Sequence, residues 1–582
     1  MRPEDGAGAG GGDRISPGPA EGAFEGALAL LERERAVERI WGRDASLWSD
    51  DPGVGAKIGD RLGWLTVTER MRGEAEDLAV FGREIRDAGF ERAVVLGMGG
   101  SSLCVEVVRQ AFGSADGFPR LTVLDTTDPA TIRALESELD LARTLFIVAS
   151  KSGGTLETLS HAAYFFERVT QTRDQGDGAG SQFIAITDPG SKLAALAEER
   201  GYRRVFLNPP DIGGRYSVLS YFGLVPAALA GVDLARLLDR ALGMMAACRR
   251  PARENPGARL GALIGGAARE GRDKLTIVTP GGLRAFGDWA EQLIAESTGK
   301  EGRGIVPVTG EALGEPGVYR DDRVFVHLYL RDPESRQDLA LDRLPALDGP
   351  VARLDLEEVY DLGAEFFRWE FATAVAGKIL GINPFDEPNV QESKDNTSRF
   401  LAIAAESGQL PEPEPIATTD GLALVWPGNP TAGDFDAAFA AFLAGVKEGD
   451  YLALQAYFAP LPEYERPLQA LRHALRDRLR VATTLGYGPR FLHSTGQLHK
   501  GGANNGVFLQ LVAPAAGGPP LPIPGQDYGF DRLIAAQALG DLRSLVDHGR
   551  RVARVDLGDD IVAGLRALQG ALERAAGQAM SG

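Results

Sequence analysis

Short apolar runs alternate with helix-like segments from residue 93 onwards, and this alternation limits the possible folds more than any other feature of the sequence. The first of these runs occupy 93–97, 121–125, 144–149, 183–187 and 204–207. Several of the intervals between them carry apolar residues at helical spacing. Strands that alternate with helices are typical of a parallel sheet, and we therefore expect an α/β fold.

A second alternating unit begins near Lys274 with KLTIVTP and continues through an amphipathic stretch to Glu296. Further strands are predicted at 304–308 and 323–330, and a long helical pattern covers 355–380. Residues 409–420 are rich in Pro and Glu and predict a linker. Beyond the linker, a third α/β unit is indicated by predicted strands at 451–458, 480–486, 506–513 and 552–556.

The chain has 582 residues, which is too long for a single hydrophobic core. We predict six segments: a disordered tail (1–23), an N-terminal helical segment (24–85), a first α/β domain (86–245), a second α/β domain (246–408), the linker (409–420) and a C-terminal α/β extension (421–582).

Composition excludes several classes of function. The 62 basic and 81 acidic residues give a net charge of −19, which opposes non-specific binding of nucleic acid. The sequence has no apolar run of the roughly twenty residues that a membrane span needs, and its first twenty residues lack the apolar core of a secretory signal. Cys104 and Cys248 are the only cysteines, which makes a disulfide framework or a cysteine metal site improbable. We expect a cytoplasmic protein.

The segment LFIVASKSGGTLET, residues 145–158, turns from an apolar run into a helical pattern. Three hydroxyls, one ammonium and two glycines stand where the helix begins, and the free N–H groups of a helix start favour an anion. The turn therefore predicts a cradle for a phosphate, formed by Ser150, Lys151, Ser152 and Thr155. An ordinary strand-to-helix turn with a Ser or Thr cap explains the segment alone equally well.

A glycine turn, GMGGSS at 97–102, follows the first predicted strand. Its spacing lacks the third glycine of the dinucleotide fingerprint, so a nicotinamide site is disfavoured. A backbone turn beside a sugar or phosphate explains Gly100 and Ser101 without a dinucleotide.

Arg215, as a possible contact for bound oxygen atoms, and one predicted helix face are further candidate features of a site. Arg215 follows Gly213 and Gly214, and its planar fork suits that task, although a surface ion pair is the commoner role of an arginine. Gln292, Glu296 and Lys300 lie four residues apart and are predicted to share one helix face, where a solvated ion pair is the simpler interpretation.

His493 and His499 lie six residues apart in FLHSTGQLHKGGANNG. This gap does not match helical metal spacing, and we expect no metal site here. A histidine flanked by Ser, Gln and Gly can still transfer a proton near neutral pH.

Taken in order, the motifs GMGGSSL, SKSGGTLET, GGRYS, AESTGK and PFDEPNVQESK resemble those of the phosphoglucose isomerase family over residues 90–400. The resemblance implies two tandem doubly wound parallel-sheet domains of the sugar isomerase (SIS) type. RIWGRDASLWSDDP, RLGWL and the extension look like the isomerase half of bacterial bifunctional transaldolase–phosphoglucose isomerases. The tail leaves no room for a transaldolase barrel of roughly 250 residues, so transaldolase activity is not expected.

The resemblance also implies roles for particular residues. Arg215 matches the arginine that steadies enediolate charge, Glu296 the base that moves a proton between C1 and C2, and Lys394 a lysine that assists ring opening. The residues that match sugar or phosphate contacts are Gly100, Ser101, Ser150, Lys151, Ser152, Thr155, Gly214 and Gln292.

One departure concerns the histidine that opens the sugar ring. Family members carry it between the glutamate and the lysine, where this sequence has only His327, in a β-like run that looks like core. HSTGQL at His493 resembles the missing motif but follows Lys394. We hypothesise that the extension folds back, or reaches across a dimer, to bring His493 to the sugar.

The implied activity is interconversion of glucose 6-phosphate and fructose 6-phosphate through ring opening and a cis-enediol, without cofactor or metal. Partners are then a small sugar phosphate and a second copy in a homodimer, with association with a separate transaldolase left open. Two alternatives remain: an isomerase that also accepts mannose 6-phosphate, and a non-catalytic sugar-phosphate sensor. The sensor would not need Glu296, Arg215 and Lys394 together.

Overall fold

In the N-terminal segment, the described residues form secondary structure from β1 onwards. The structure, a computed structural model, describes residues 13–172, 178–331, 349–419, 421–428, 433–514 and 519–579. The prediction of disorder over 1–23 is wrong for 13–23, because strand β1 (Arg14–Ser16) pairs with a later strand and Asp13 forms an ion pair with Arg368 at 2.8 Å. The remainder of that predicted tail, 1–12, lies outside the described residues. The helices that follow are α1 (Glu21–Arg33), α2 (Ala36–Trp41), α3 (Pro52–Gly59) and α4 (Trp64–Asp87).

The first sheet has the strand order β3-β2-β4-β5-β6, and all of its neighbours are parallel. Buried Val, Ile, Leu and Phe side chains fill β4 on both faces, as a covered parallel strand requires. Its elements are β2 (Arg92–Gly97), α5 (Gly100–Ala111), β3 (Arg120–Leu124), α6 (Pro129–Glu138), β4 (Thr144–Ala149), α7 (Leu156–Thr172), β5 (Phe183–Thr187), α8 (Lys192–Glu199) and β6 (Arg204–Leu207).

The second sheet has the order β1-β10-β9-β7-β8, in which only the added strand β1 is antiparallel to its neighbour. Three helices precede it: α9 (Tyr221–Leu229), α10 (Leu234–Ala247) and α11 (Pro256–Arg269). Its own elements are β7 (Lys274–Val278), α12 (Arg284–Thr298), β8 (Val306–Val308), β9 (Arg323–Leu330), β10 (Val351–Leu356) and α13 (Leu362–Leu380).

The third sheet has the order β11-β12-β16-β15-β13-β14. Its last four strands are parallel, whereas β11 and β12 are antiparallel additions at one edge. After α14 (Val390–Ser407), its elements are β11 (Ala417–Thr419), β12 (Leu422–Val425), α15 (Phe435–Ala444), β13 (Tyr451–Tyr457), α16 (Pro462–Leu479), β14 (Ala482–Tyr487), α17 (Gly496–Gly501), β15 (Gly506–Val512), α18 (Phe530–Asp547), β16 (Arg551–Asp556) and α19 (Ile561–Ala579).

The α/β class predicted for all three units is confirmed, and two predicted boundaries need correction. The helical pattern over 355–380 begins as the end of strand β10, and the helix starts only at Leu362. The predicted linker 409–420 already contains β11 at Ala417–Thr419, because these residues pair with β12 and add an edge to the third sheet.

The extension packs against both preceding sheets. On the first sheet, Phe530 and Leu533 of α18 join the core that contains Phe146 and Phe165. On the second sheet, Tyr451 and Phe508 of the third sheet pack with Val306, Val308 and Ala295. These apolar contacts bring the segment between β14 and β15, which contains His493, towards the first two units.

Among the helices that the structure describes, none is long and apolar enough to cross a membrane.

Candidate active site

Two glycine turns meet at the carboxyl end of β2. Gly99 has φ +56°, and a Cβ there would lie 2.7 Å from the carbonyl oxygen of His493 and 2.8 Å from the amide nitrogen of Gln292. A Cβ on Gly100 would overlap the carbonyl oxygen of Gly214. Only glycine permits this backbone conformation and this approach. The predicted residues Gly100, Gly214, Gln292 and His493 are therefore neighbours in space.

The predicted phosphate turn lies between β4 and α7, with Gly153 at φ +66°. The hydroxyls of Ser150 and Thr155 are 2.9 Å apart, and the backbone N–H of Gly154 donates to the Ser152 hydroxyl at 3.3 Å. The Lys151 ammonium pairs with Asp188 and donates to the carbonyl of Pro210 at 3.0 Å. Its charge therefore lies beside the turn but is already shared with a carboxylate.

Glu296 lies on α12 with 8 % of its surface exposed. Gln292, one turn earlier, donates to Glu296 Oε2 at 3.1 Å and to the carbonyl of His493 at 2.8 Å. The predicted shared face of Gln292 and Glu296 is confirmed. Lys300 is not part of this helix, which ends at Thr298, and its ammonium is 2.7 Å from Asp386 Oδ1.

Arg215 is buried and forms a bridge between two carboxylates. Its Nη1 lies 3.3 Å from Glu296 Oε1 and 2.9 Å from Glu387 Oε2. Nε donates to the Ser297 hydroxyl at 2.7 Å, and Nη2 donates to the carbonyls of Pro384 and Asp386 at 2.8 and 3.0 Å. The surface ion pair considered for Arg215 is excluded, because only 3 % of the residue is exposed.

Burial raises the pKa of Glu296 above that of an ordinary glutamate; Arg215 opposes this rise and the carboxylate of Glu387 adds to it. The same environment lowers the pKa of the Lys300 ammonium to about 8, because burial and the Arg215 charge both disfavour a second cation. A carboxylate with a raised pKa beside a fixed guanidinium is suited to take up and return a proton.

The extension folds back within its own chain and places His493 beside the first sheet. His493 Nε2 lies 2.9 Å from Glu157 Oε1, on the first turn of α7. Burial alone would raise the pKa of Glu157, but His493 lowers it to about 2, so this carboxylate is ionised. Arg490, three residues before His493, holds the segment in place through an ion pair with Asp125, in which Nη2 donates to Oδ1 at 2.8 Å and Nε lies 2.8 Å from Oδ2.

Two of the predicted site residues, His493 and Lys394, line a cavity of about 210 Å³. Lys394 is exposed on α14, and Gly154 of the phosphate turn and Glu157 line the cavity as well. Glu296 is not among the lining residues, but Gln292 links it to the His493 backbone by donating to both. A larger cleft of about 760 Å³, lined by residues such as Lys274 and Arg303, contains none of the predicted site residues.

Two residues of this arrangement were absent from the sequence prediction, Glu157 and Glu387. Both lie inside the motifs that carry the family resemblance, SKSGGTLET and PFDEPNVQESK. Their acidic character was visible, but only the fold shows that one faces a histidine 336 positions later and the other faces Arg215.

The other two histidines named in the sequence occupy apolar surroundings. His327 is buried in β9, and burial lowers its pKa to about 4. His499 packs 5.0 Å from the ring of Phe508, and burial places its pKa well below the usual value. In the described part of the chain, no group of three or more His, Cys, Asp or Glu side chains could hold a metal ion.

Comparison with known proteins identifies relatives of this chain. The model of the phosphoglucose isomerase family matches residues 34–302. A glucose-6-phosphate isomerase of Thermosynechococcus vestitus is 34 % identical over 423 residues, which cover 65 % of this chain and 77 % of the relative. A glucose-6-phosphate isomerase of Symbiobacterium thermophilum is 30 % identical over 390 residues, with 58 % of this chain and 86 % of the relative covered.

The structural comparison agrees in fold. A crystal structure of a glucose-6-phosphate isomerase from Chlamydia trachomatis matches with a TM-score of 0.54 at 20 % identity, covering 66 % of this chain and 86 % of that one. At this identity the match shows the sugar isomerase fold alone.

Proposed function

Because the chain belongs to the phosphoglucose isomerase family and interconverts glucose 6-phosphate and fructose 6-phosphate, we propose that the residues around Glu296 perform this exchange by proton transfer. The observation that carries the proposal is the buried Glu296 carboxylate, 3.3 Å from the guanidinium of Arg215. An aldose–ketose exchange needs one base to move a proton between C1 and C2 and a fixed cation where oxygen charge develops.

In this scheme Glu296 removes the proton from one carbon and returns it to the other. Arg215 stabilises the negative charge of the enediolate, since its guanidinium stays charged and is held by four protein groups besides Glu296. The side-chain amide of Gln292 holds Glu296 Oε2 in place through a hydrogen bond, and Oε1 is the oxygen that faces Arg215.

The substrate phosphate binds at the turn before α7, in contact with Ser150, Ser152 and Thr155. A helix of 17 residues starts directly after this turn, and its dipole favours an anion there. Lys151 contributes positive charge beside the turn while its ammonium stays paired with Asp188. Gly100, Ser101 and Gly214 contact the sugar phosphate from the neighbouring turns.

Ring opening is the task of His493, and Lys394 lines the same 210 Å³ cavity. Glu157 accepts from His493 Nε2 at 2.9 Å, which fixes the plane of the imidazole and places the hydrogen of this contact on Nε2. The other ring nitrogen is then available to exchange a proton with the ring oxygen or the anomeric hydroxyl of the sugar.

The proposals on oligomeric state, location and protein partners follow from the resemblance alone. We propose a homodimer located in the cytoplasm, and association with a separately encoded transaldolase is the remaining proposal for the extension.

Replacement of Glu296 by Gln preserves the shape of the side chain but removes the base. We expect glucose 6-phosphate binding to remain and turnover to fall by about 10²- to 10⁴-fold, the usual effect of losing a central acid–base group. Coupled assays of fructose 6-phosphate conversion, run beside calorimetric measurement of binding, check this. Turnover at the wild-type rate would contradict the role of Glu296 and the proposed mechanism.

Replacement of His493 by Ala separates ring opening from proton transfer. Turnover of fructose 6-phosphate, which is mostly cyclic, should fall much more than turnover of its 5-deoxy analogue, which lacks the hydroxyl that closes the ring. Steady-state rates with the two substrates give the ratio directly. An equal loss with both substrates would contradict a role in ring opening.

Replacement of Glu387 by Gln tests the electrostatics of the base. Glu387 raises the pKa of Glu296, so its removal lowers that pKa, and Glu296 stays ionised to a lower pH. The acid limb of the pH profile of kcat/KM should therefore move to lower pH. Glu406→Gln removes the same charge from an exposed position of α14 and serves as the control. An acid limb at the wild-type position, or one shifted to higher pH, would rule out the electrostatic coupling between Glu387 and Glu296.

A further inference from the structure

Gln537 connects the extension to the candidate active site by two short hydrogen bonds. It lies on α18, is 2 % exposed and lines the same 210 Å³ cavity as His493 and Lys394. Its Nε2 donates to Glu157 Oε1 at 2.7 Å, and its Oε1 accepts from the hydroxyl of Thr127 at 2.7 Å.

The orientation of this amide is determined by its neighbours. An ionised carboxylate only accepts hydrogen bonds, so the NH₂ group must face Glu157. The amide oxygen then faces Thr127, whose hydroxyl can donate. Thr127 is fully buried in the loop between β3 and α6, the loop that also contains Asp125, the partner of Arg490.

A single oxygen of Glu157 thus receives two donors, His493 Nε2 and Gln537 Nε2. Because the carboxylate is 6 % exposed, these protein donors replace most of the water that would otherwise orient it. The direction of Oε1, and with it the plane of the His493 ring, depends on the Gln537 amide.

We propose that Gln537 is a positioning residue for ring opening, which acts through Glu157 to hold the His493 imidazole towards the sugar. The extension then contributes two connected groups to the site, His493 and the amide that orients its carboxylate partner. The inference rests on the proposed role of His493.

The chain offers a matched control for the loss of a buried amide. Gln510 of β15 is fully buried and donates to the carbonyl of Ala538, one residue after Gln537, at 3.0 Å. Gln510→Leu therefore removes a similar buried hydrogen bond from the same part of the extension without changing a partner of Glu157.

The test compares Gln537→Leu with Gln510→Leu on fructose 6-phosphate and on its 5-deoxy analogue. Loss of a hydrogen bond to a charged group should lower kcat on the cyclic substrate by about tenfold or more in Gln537→Leu, with KM and turnover of the open-chain analogue nearly unchanged. Gln510→Leu should leave the ratio of the two activities at its wild-type value.

Gln537→Glu supplies a second readout that a merely structural role would not produce. The introduced carboxyl can donate to Glu157 only while it carries its proton. We expect turnover of fructose 6-phosphate near the wild-type value at the acid end of the pH range. The turnover of Gln537→Glu relative to wild type should fall progressively as pH rises. The turnover of Gln537→Leu relative to wild type should not change with pH.

The inference is overturned if Gln537→Leu turns over both substrates like the wild type, or if it lowers both equally. It is also overturned if the activity of Gln537→Glu relative to wild type does not change with pH. A failure of the proposed function is distinguishable, because His493→Ala would then lower both activities equally whatever the behaviour of the Gln537 variants.

Discussion

The contact between His493 and Glu157 is the interaction on which the rest of the site depends. It joins residues 336 positions apart and connects the third sheet unit to the first. The extension packs on the first two units through apolar contacts of α18 with the first sheet and of the third sheet with Val306 and Val308. This apolar packing supplies most of the free energy that holds the extension there, whereas polar contacts fix the position of the His493 segment. With His493 in place, its backbone carbonyl accepts from Gln292, which also holds Glu296. The imidazole side chain and the carboxylate proposed to transfer the proton are thus positioned by the same short segment.

Buried charge determines the chemistry available in this arrangement. Arg215 is almost completely buried and forms ion pairs with both Glu296 and Glu387. A buried charge that loses its partner typically costs about 3–5 kcal/mol, so such a group remains paired until a substrate oxygen replaces one of its contacts. Glu387 has a partly exposed side chain and so is the carboxylate that can move aside at lower cost, while Glu296 stays in place. In the proposed mechanism, the guanidinium therefore exchanges a protein carboxylate for developing enediolate charge without leaving its position.

Most of the fold and part of the site could be predicted from the sequence. Apolar alternation located strands such as Thr144–Ala149 and Arg323–Leu330 because covered parallel strands are continuous apolar runs. It missed β1, β10, β11 and β12. Of these, β1 and β11 are three-residue edge strands, which are too short to carry a pattern and owe their structure to pairing. The family resemblance singled out Glu296 and Arg215 as candidates, whereas the contacts of Glu157, Glu387 and Gln537 become visible only when distant segments meet. The two possible routes of His493, folding back or crossing a dimer, could not be separated by sequence, because both place the same motif at the same site.

The central claim is that each chain completes its own site with its own His493. Co-expression of Glu296→Gln and His493→Ala chains, followed by assay of the mixture with fructose 6-phosphate, tests it most directly. If His493 serves the Glu296 of its own chain, no mixed dimer contains an intact site, and activity stays at the level of the separate variants. If His493 were instead delivered to a second copy in a symmetric dimer, one of the two sites in each mixed dimer would be intact. Activity would then recover to roughly a quarter of the wild-type value, and that result would contradict the account.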